Sequence, residues 1–341
     1  MIELVAQSEA MREAVRLAGR VATTDANVLV TGESGVGKDA LALFIHRQSR
    51  RAAASFVKID CAALPAELLE AELFGYERGA FTGASEAKPG RLEASHKGTL
   101  VLDEIAHLSR DAQAKLLRVI EEREFERLGG RRTVRVDTRL IALTNVDLDE
   151  AVRRRAFRPD LFYRLNVVRI HVPPLRERRE DVRKLAKGFL KTYATKHGRQ
   201  ALRIEADALL LLETYDYPGN VRELAHVLER AVIMADGERV EVAHLPESVR
   251  AAASLQKSRK GRMTLAELEA AYITETLAAA RGNKSEAARQ LGISRKNLYE
   301  KLARQRRDDA AASHLGGQNE ERACACSVDG LSATAGAFLS L

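Results

Sequence analysis

Gly32-Glu33-Ser34-Gly35-Val36-Gly37-Lys38 is a glycine-rich turn closed by a lysine, directly after the apolar run NVLVT at 27–31. In a G-x-x-x-x-G-K turn the glycines let backbone N–H groups curl around phosphate oxygens, and the lysine reaches the β- and γ-phosphates as a point charge. A helix opening at Lys38 adds a favourable dipole. The alternative is a glycine-rich turn without nucleotide, but strand, loop, lysine and helix all agree. Asp39 stands where the pattern usually has the Ser or Thr whose hydroxyl meets Mg²⁺, so the metal must rely more on another acid and on water. That acid is at hand in Thr99-Leu-Val-Leu-Asp103-Glu104, an apolar run ending in paired carboxylates. Asp103 is the expected Mg²⁺ ligand, directly or through water, and Glu104 the general base that orients and deprotonates an attacking water. Alone, an Asp-Glu pair after a strand reads as well as a helix N-cap. Downstream of a phosphate loop it points to ATP hydrolysis.

The elements that must position these groups are legible as short apolar runs at 27–31, 56–59, 99–102, 140–144 and 167–172, separated by helical stretches such as 39–47 and 111–122. Apolar strands alternating with helices predict a parallel sheet covered on both faces. The segment 175–235 has no comparable strand run and reads as a helical cluster, 181–193, 205–213 and 220–234. The expected organisation is an α/β ATPase core at 1–173, a helical lid at 174–248, a linker at 249–262, a small all-α domain at 263–307 and a disordered tail at 308–341.

Composition narrows the class. The 341 residues are 45% hydrophobic and 30% charged, an ordinary globular balance. No run approaches the roughly 18 apolar residues of a membrane span. The N-terminus is acidic and broken, unlike a secretory signal, so a cytoplasmic location is expected. Cys61, Cys324 and Cys326 match neither a disulfide framework nor a zinc spacing. Cys61 is expected to pack as a small hydrophobe. The net charge of +7 is concentrated: residues 255–307 carry 13 Lys and Arg against 5 Glu. A local basic excess is the footprint of a nucleic-acid contact, the alternative being a solvated basic linker.

One segment is more specific than a phosphate loop. Gly79-Ala80-Phe81-Thr82-Gly83-Ala84 resembles the GAFTGA loop of bacterial sigma-54-dependent transcriptional activators, the AAA+ enhancer-binding proteins. Glycines at both ends suit a mobile loop with an aromatic and a hydroxyl at its tip. The resemblance extends from about Val5 to Arg306. It implies that this loop contacts sigma-54, and that RLIALTN at 139–145 is a sensor strand with Thr144 and Asn145 near the γ-phosphate. It implies further that Arg158 and Arg164 reach a neighbouring subunit's nucleotide, so that hydrolysis requires a ring, by resemblance a hexamer. Arg222, in Tyr217-Pro-Gly-Asn-Val-Arg222, would reach the nucleotide from the lid. Two departures stand out: Asp60 replaces an Asn that couples the Glu104 position to ligand state, which puts that switching role in doubt, and Tyr217 replaces a Trp.

Residues 283–294 read as a short helix, a turn at Gly292 and a new N-cap at Ser294, the punctuation of a helix-turn-helix. Leu298 and Leu302 face inward at helical spacing, leaving Ser294, Arg295, Lys296, Asn297, Tyr299 and Lys301 at a DNA groove, with Lys284 and Arg289 suited to phosphates. Base readers and phosphate contacts are not separable within this set. The stretch resembles a Fis-type domain, which implies a dimer on a palindromic double-stranded DNA site upstream of a promoter.

The reading is a sigma-54-dependent regulator that binds enhancer-like DNA and uses ATP and Mg²⁺ to remodel the closed complex of sigma-54 RNA polymerase into the open one. Its rivals are a nucleotide-sensing DNA-binding regulator of the ordinary polymerase and a generic AAA+ remodeller. An intact GAFTGA argues against the first, and the basic helix-turn-helix against the second. No receiver or small-molecule sensor precedes the ATPase region, so control comes either from a further N-terminal domain or from a partner in trans.

Overall fold

The structure, a computed structural model, describes residues 4–199, 202–251, 269, 272–273, 276–277, 283–299 and 301–302. The segment 252–268 and the tail beyond 302, with Cys324 and Cys326, lie outside the described residues. The chain divides into two units, Met1–Ala253 and Ser254–Leu341.

In the first unit α1 (Glu9–Ala22) precedes β1 (Val28–Thr31), and α2 (Lys38–Arg47) leads to β2 (Phe56–Asp60) and α3 (Ala66–Phe74). A short hairpin, β3 (Gly75–Tyr76) with β4 (Lys88–Pro89), carries the 79–84 loop, and α4 (Arg91–Ala94) returns the chain to β5 (Thr99–Asp103). Helix α5 (Arg110–Glu122) is followed by a second hairpin, β6 (Glu124–Glu126) with β7 (Thr133–Arg135), and then by β8 (Arg139–Thr144). The short helices α6 (Leu148–Arg153) and α7 (Pro159–Leu165) precede β9 (Val168–His171). The remainder comprises α8 (Arg179–Lys196), β10 (Arg203–Ile204), α9 (Ala206–Thr214), α10 (Asn220–Met234) and β11 (Arg239–Val240).

The five apolar runs form one sheet in the order β2-β5-β8-β1-β9, with every neighbouring pair parallel. Strand alternation sends successive side chains to opposite faces, and the chain supplies apolar groups for both. Leu29, Leu100, Leu102, Leu140 and Ala142 join a core with Leu69 and Leu73 of α3 and Leu116 of α5. Val28, Val30, Val101, Ile141 and Leu143 point the other way, onto Met11 and Ala18 of α1 and Leu41 and Ile45 of α2. Strand β8 is buried at every position, as a central strand with two covered faces requires.

The helical lid packs around Val182, Leu185, Phe189, Leu224 and Leu228. Tyr217 is fully buried there; its hydroxyl donates to the Leu212 carbonyl at 2.7 Å. The helices expected at 181–193, 205–213 and 220–234 are present as α8, α9 and α10, and the two-residue β10 adds a short parallel pair with β11. Pairs two residues long are too short to leave a periodic trace. Asp181 fastens the lid to the N-terminus: its carboxylate accepts from the Gln7 and Ser8 backbone N–H groups.

In the second unit, the Asn283 side chain caps helix Lys284–Gln290 by accepting from the Ser285 and Glu286 N–H groups. Gly292 makes the turn in the left-handed region at φ +66°, which glycine adopts without steric cost. The Ser294 hydroxyl accepts from the Asn297 N–H at 3.2 Å, starting a second helical stretch at 295–299. Leu298 is buried with Ala287, Ala288 and Ile273, and Leu302 packs against them.

Candidate active site

Parallel strands direct their carboxyl ends to one rim, where α/β sheets bind ligands. The phosphate loop leaves β1 at that rim, and Asp103 and Glu104 arrive on β5 two strands away. A cavity of about 130 Å³ lies between Ser34, Gly35, Gly37, Lys38, Asp39, Asp103, Glu104 and Arg222. It has room for phosphates but not for a whole nucleotide.

Lys38 is 7% exposed and donates to the Gly32 carbonyl at 2.9 Å. Its ammonium stands 3.5 Å from a Glu104 carboxylate oxygen. The other Glu104 oxygen accepts from the Asn145 N–H at 3.1 Å. Glu104 has φ +52°, a left-handed conformation that costs a non-glycine residue energy and persists only where its surroundings hold it. The candidate base is thus clamped between the phosphate-loop lysine and the end of β8. Thr144 is buried, with its hydroxyl accepting from the Val146 N–H at 3.0 Å.

Asp60 ends β2. It lies beside Asp103 in the strand register, but its carboxylate accepts from the Ala62 N–H at 2.9 Å. The hydrogen-bond and ion-pair partners of Glu104 are Lys38 and Asn145. The Asp60 side chain thus closes an Asx turn on its own backbone.

Lys58 was not expected. Its ammonium lies 2.6 Å from Asp39 and 2.7 Å from Asp103. Burial pulls its pKa down, but the hydrogen bonds to the two carboxylates outweigh that, and the net displacement is upward. Asp39 and Asp103 therefore converge on one cation. The oxygen donors and the stand-in ammonium fit Mg²⁺, which takes one or two carboxylates together with phosphates and water. Among the described residues no group of three or more His, Cys, Asp or Glu is placed to hold a metal by itself.

The lid closes the other side of the loop. The Arg222 guanidinium donates to the Ser34 hydroxyl at 2.9 Å, and the Val221 N–H donates to the Gly35 carbonyl at 3.0 Å. A Cβ at Gly35 would lie 2.5 Å from the Gly219 carbonyl oxygen, so only glycine allows this approach. Glu33 takes two hydrogen bonds from Arg176 and one from Asn220. The Arg176 hydrogen bonds, then the Asn220 one, hold its carboxyl down at about 2. Val36 is buried, and its carbonyl accepts from the buried Arg178 guanidinium. Sequence reasoning missed Arg176, Arg178 and Asn220 as parts of the site. The Pro-Gly-Asn start of α10 could have drawn attention to Asn220, and nothing local marks the two arginines.

Arg158 and Arg164 do not line this cavity. Arg158 pairs with Asp160 at 2.7 Å and Arg164 with Glu121 at 2.8 Å, on the surface around α7. In the 79–84 loop, the Gly79 N–H donates to the Ala84 carbonyl at 2.9 Å, closing its base. The Phe81 ring packs edge-on against Tyr76, 4.9 Å between centroids, and remains 42% exposed. The Glu77 N–H donates to the Leu128 carbonyl, tying this loop to the β6–β7 hairpin. Thr82 is exposed at the tip, whereas Ala80 is half-buried, close enough to Gly129 that a Cβ there would lie 2.9 Å from the Ala80 Cβ.

In the second unit Arg295, Lys296, Asn297 and Tyr299 are exposed around buried Leu298. Lys284 lies over the Tyr299 ring at 4.9 Å. Arg289 pairs with Glu286, and Lys301 with Glu269. Surface pairs of this kind contribute little and exchange readily with other anions.

A parallel sheet with its phosphate loop after β1, its acids on β5 and a helical lid reaching back to the loop defines an AAA+ nucleotide-binding domain. Residues 4–171 match the profile described as the sigma-54 interaction domain, 176–262 the AAA+ ATPase lid domain, and 264–304 the Fis family of bacterial regulatory proteins. The regulatory protein AtoC of Escherichia coli is 45% identical over 307 residues, covering 88% of this chain and 67% of the relative. The transcriptional regulatory protein ZraR of Salmonella typhimurium is 45% identical over 302 residues, covering 88% and 68%. The crystal structure of NtrX from Brucella abortus in complex with ATP superposes with a TM-score of 0.67 at 37% identity, covering 89% of this chain and 69% of that one. The chain belongs to the family of sigma-54-dependent transcriptional activators, and it spans about two thirds of the length of these relatives.

Proposed function

We propose that the protein hydrolyses ATP at the cleft between Lys38, Asp103, Glu104 and Arg222 and uses the cycle to move the 79–84 loop against sigma-54, opening promoter complexes from a DNA-bound ring. The observation that carries this reading is the clamped Glu104: its carboxylate lies between the Lys38 ammonium and the Asn145 N–H. A γ-phosphate drawn to Lys38 competes with Glu104 for that ammonium and frees the carboxylate to take a proton from water. Asp103 and Asp39 would hold Mg²⁺, which neutralises phosphate charge when bound.

The route to the loop is short in the chain. The Cys61 N–H donates to the Asp103 carbonyl, and α3 then runs directly into the hairpin that carries residues 79–84. Movement at the acids is therefore coupled to the base of the loop through one strand end and one helix. Arg158 and Arg164, absent from their own cavity, would exchange their surface partners Asp160 and Glu121 to stabilise transition-state charge in a neighbouring subunit. The set Arg295, Lys296, Asn297, Tyr299 and Lys301 suits a DNA groove, with Lys284 and Arg289 at phosphates.

The test is Thr82→Ala, assayed for ATP hydrolysis and for sigma-54-dependent open-complex formation. Hydrolysis within about twofold of wild type with loss of open complexes supports the division between cleft and loop. Loss of both together overturns it.

A further inference from the structure

The phosphate-loop region holds a cation that the proposed hydrolysis does not use. Lys58 sits on β2, the edge strand of the sheet, with its Cα paired to that of Val101. Asp103 is two residues further along β5, on the same face, and Asp39 begins the first turn of α2. Three elements thus bring two carboxylates to one ammonium, at 2.6 and 2.7 Å. The Lys58 side chain is 36% exposed and Asp103 only 16%. The stem is a flexible four-carbon chain carrying a compact charge, so the head group can swing to solvent while the acids stay in place.

We propose that Lys58 is a built-in competitor for the metal: its ammonium occupies the cation position between Asp39 and Asp103 and must be displaced when a magnesium-bearing nucleotide enters. The inference rests on reading this cleft as a Mg²⁺–nucleotide site. Without a nucleotide, a divalent cation would have to break two charge-assisted hydrogen bonds and gain only the same two carboxylates. Arriving with phosphates, it gains their oxygens as well, and Lys58 is left beside the added negative charge. The cleft is thereby protected from loading with free metal, and metal and nucleotide enter as a unit. Removing the Lys58 charge leaves two converging carboxylates without a cation, an arrangement that attracts a divalent ion.

The test uses the full chain without nucleotide, titrated with Mn²⁺, the free ion being followed by its EPR signal. Lys58→Met, Lys58→Gln and Lys58→Arg are compared with wild type, and binding of ADP without metal is measured in the same samples. The expected result is Mn²⁺ binding about tenfold or more tighter in Lys58→Met or Lys58→Gln, with Lys58→Arg close to wild type. Lys58→Gln supplies the result if the apolar variant fails to fold. Unchanged Mn²⁺ affinity in a neutral variant that still binds ADP overturns the role of Lys58 and leaves the cleft reading intact. Failure of the wild-type protein to bind ADP overturns the cleft reading and this inference with it.

Discussion

Glu104 combines a left-handed backbone with a carboxylate held from both sides, by Lys38 and by the Asn145 N–H. A general base can be removed without removing the groups that bind phosphate. Glu104→Gln is therefore expected to keep ATP binding while hydrolysis falls by about 10²–10⁴-fold; binding by calorimetry and single-turnover hydrolysis separate the two. Lys38→Ala should instead lose binding, because the charge that meets the phosphates is gone. Glu33 makes a different kind of prediction. Its folded-state pKa is depressed from 4.5 to about 2 by Arg176 and Asn220. A depressed acid stabilises the fold fully above its unfolded value, and that stability is lost as pH falls through the folded one. Thermal midpoints of wild type and Glu33→Gln should thus differ above pH 4.5 and converge towards pH 2. The carboxylate is 42% exposed, so screening keeps the difference below about 1 kcal/mol. A gap that stays constant across that window would contradict the assignment. Cys61, buried among Ile59, Leu102 and Ile105, has its thiol pushed up to about 12 by burial first and then by neighbouring acids. It is expected to resist alkylation in the folded protein, as an inert packing residue does.

At the scale of elements, the three central strands were legible because each is an apolar run long enough to signal burial on both faces, while the edge strands β2 and β9 carry Lys58, Arg169 and His171 within runs still rich in β-branched residues. What the runs do not contain is register. The order β2-β5-β8-β1-β9 brings Lys58 to Asp103 and Asp60 beside it, and no local pattern predicts which residues of distant strands lie level. The same holds for the lid, where Arg176 and Asn220 meet Glu33 from 143 and 187 positions away. The local hydrogen bond of Asp60 is equally invisible in the sequence, since an aspartate at a strand end can satisfy its own backbone two residues on or reach a neighbour. The two-residue strands left no trace because two positions cannot establish a period. Packing sets the stakes: Leu102 is fully buried in the face that carries α3 and α5, so Leu102→Ala should cost about 2–5 kcal/mol in denaturant unfolding. Gly35→Ala acts at a joint, forcing a Cβ within 2.5 Å of the Gly219 carbonyl oxygen at φ +76°. It should weaken nucleotide binding through the lid contact, by about 1–3 kcal/mol, with little change in far-UV circular dichroism.

For the whole molecule, the site residues fall into sets that act in different places. Lys38, Asp103, Glu104 and Arg222 share one cavity; Arg158 and Arg164 lie outside it on the surface, and Phe81 and Thr82 lie on a separate arch. A single chain with its arginine supply facing outward should hydrolyse ATP poorly at low concentration and faster on assembly. Mixing Arg158→Ala with Glu104→Gln should restore part of the activity that neither variant has alone, because a site on an Arg158→Ala subunit keeps Glu104 and can draw Arg158 from a Glu104→Gln neighbour. The 79–84 loop was legible only through its resemblance to a known motif: composition alone describes a small glycine-bounded turn, and its docking on Tyr76 and the β6–β7 hairpin is a tertiary fact. The central claim is that this loop presents itself to sigma-54 in a nucleotide-dependent state. The measurement that tests it most directly is size-exclusion chromatography of the protein with sigma-54 in ADP and a metal fluoride that mimics the transferring phosphoryl group, with Thr82→Ala run in parallel. A stable complex is expected for wild type with the analogue, none with ADP alone, and none for the variant. A wild-type protein that hydrolyses ATP yet forms no such complex, or a variant that forms it equally well, would contradict the account.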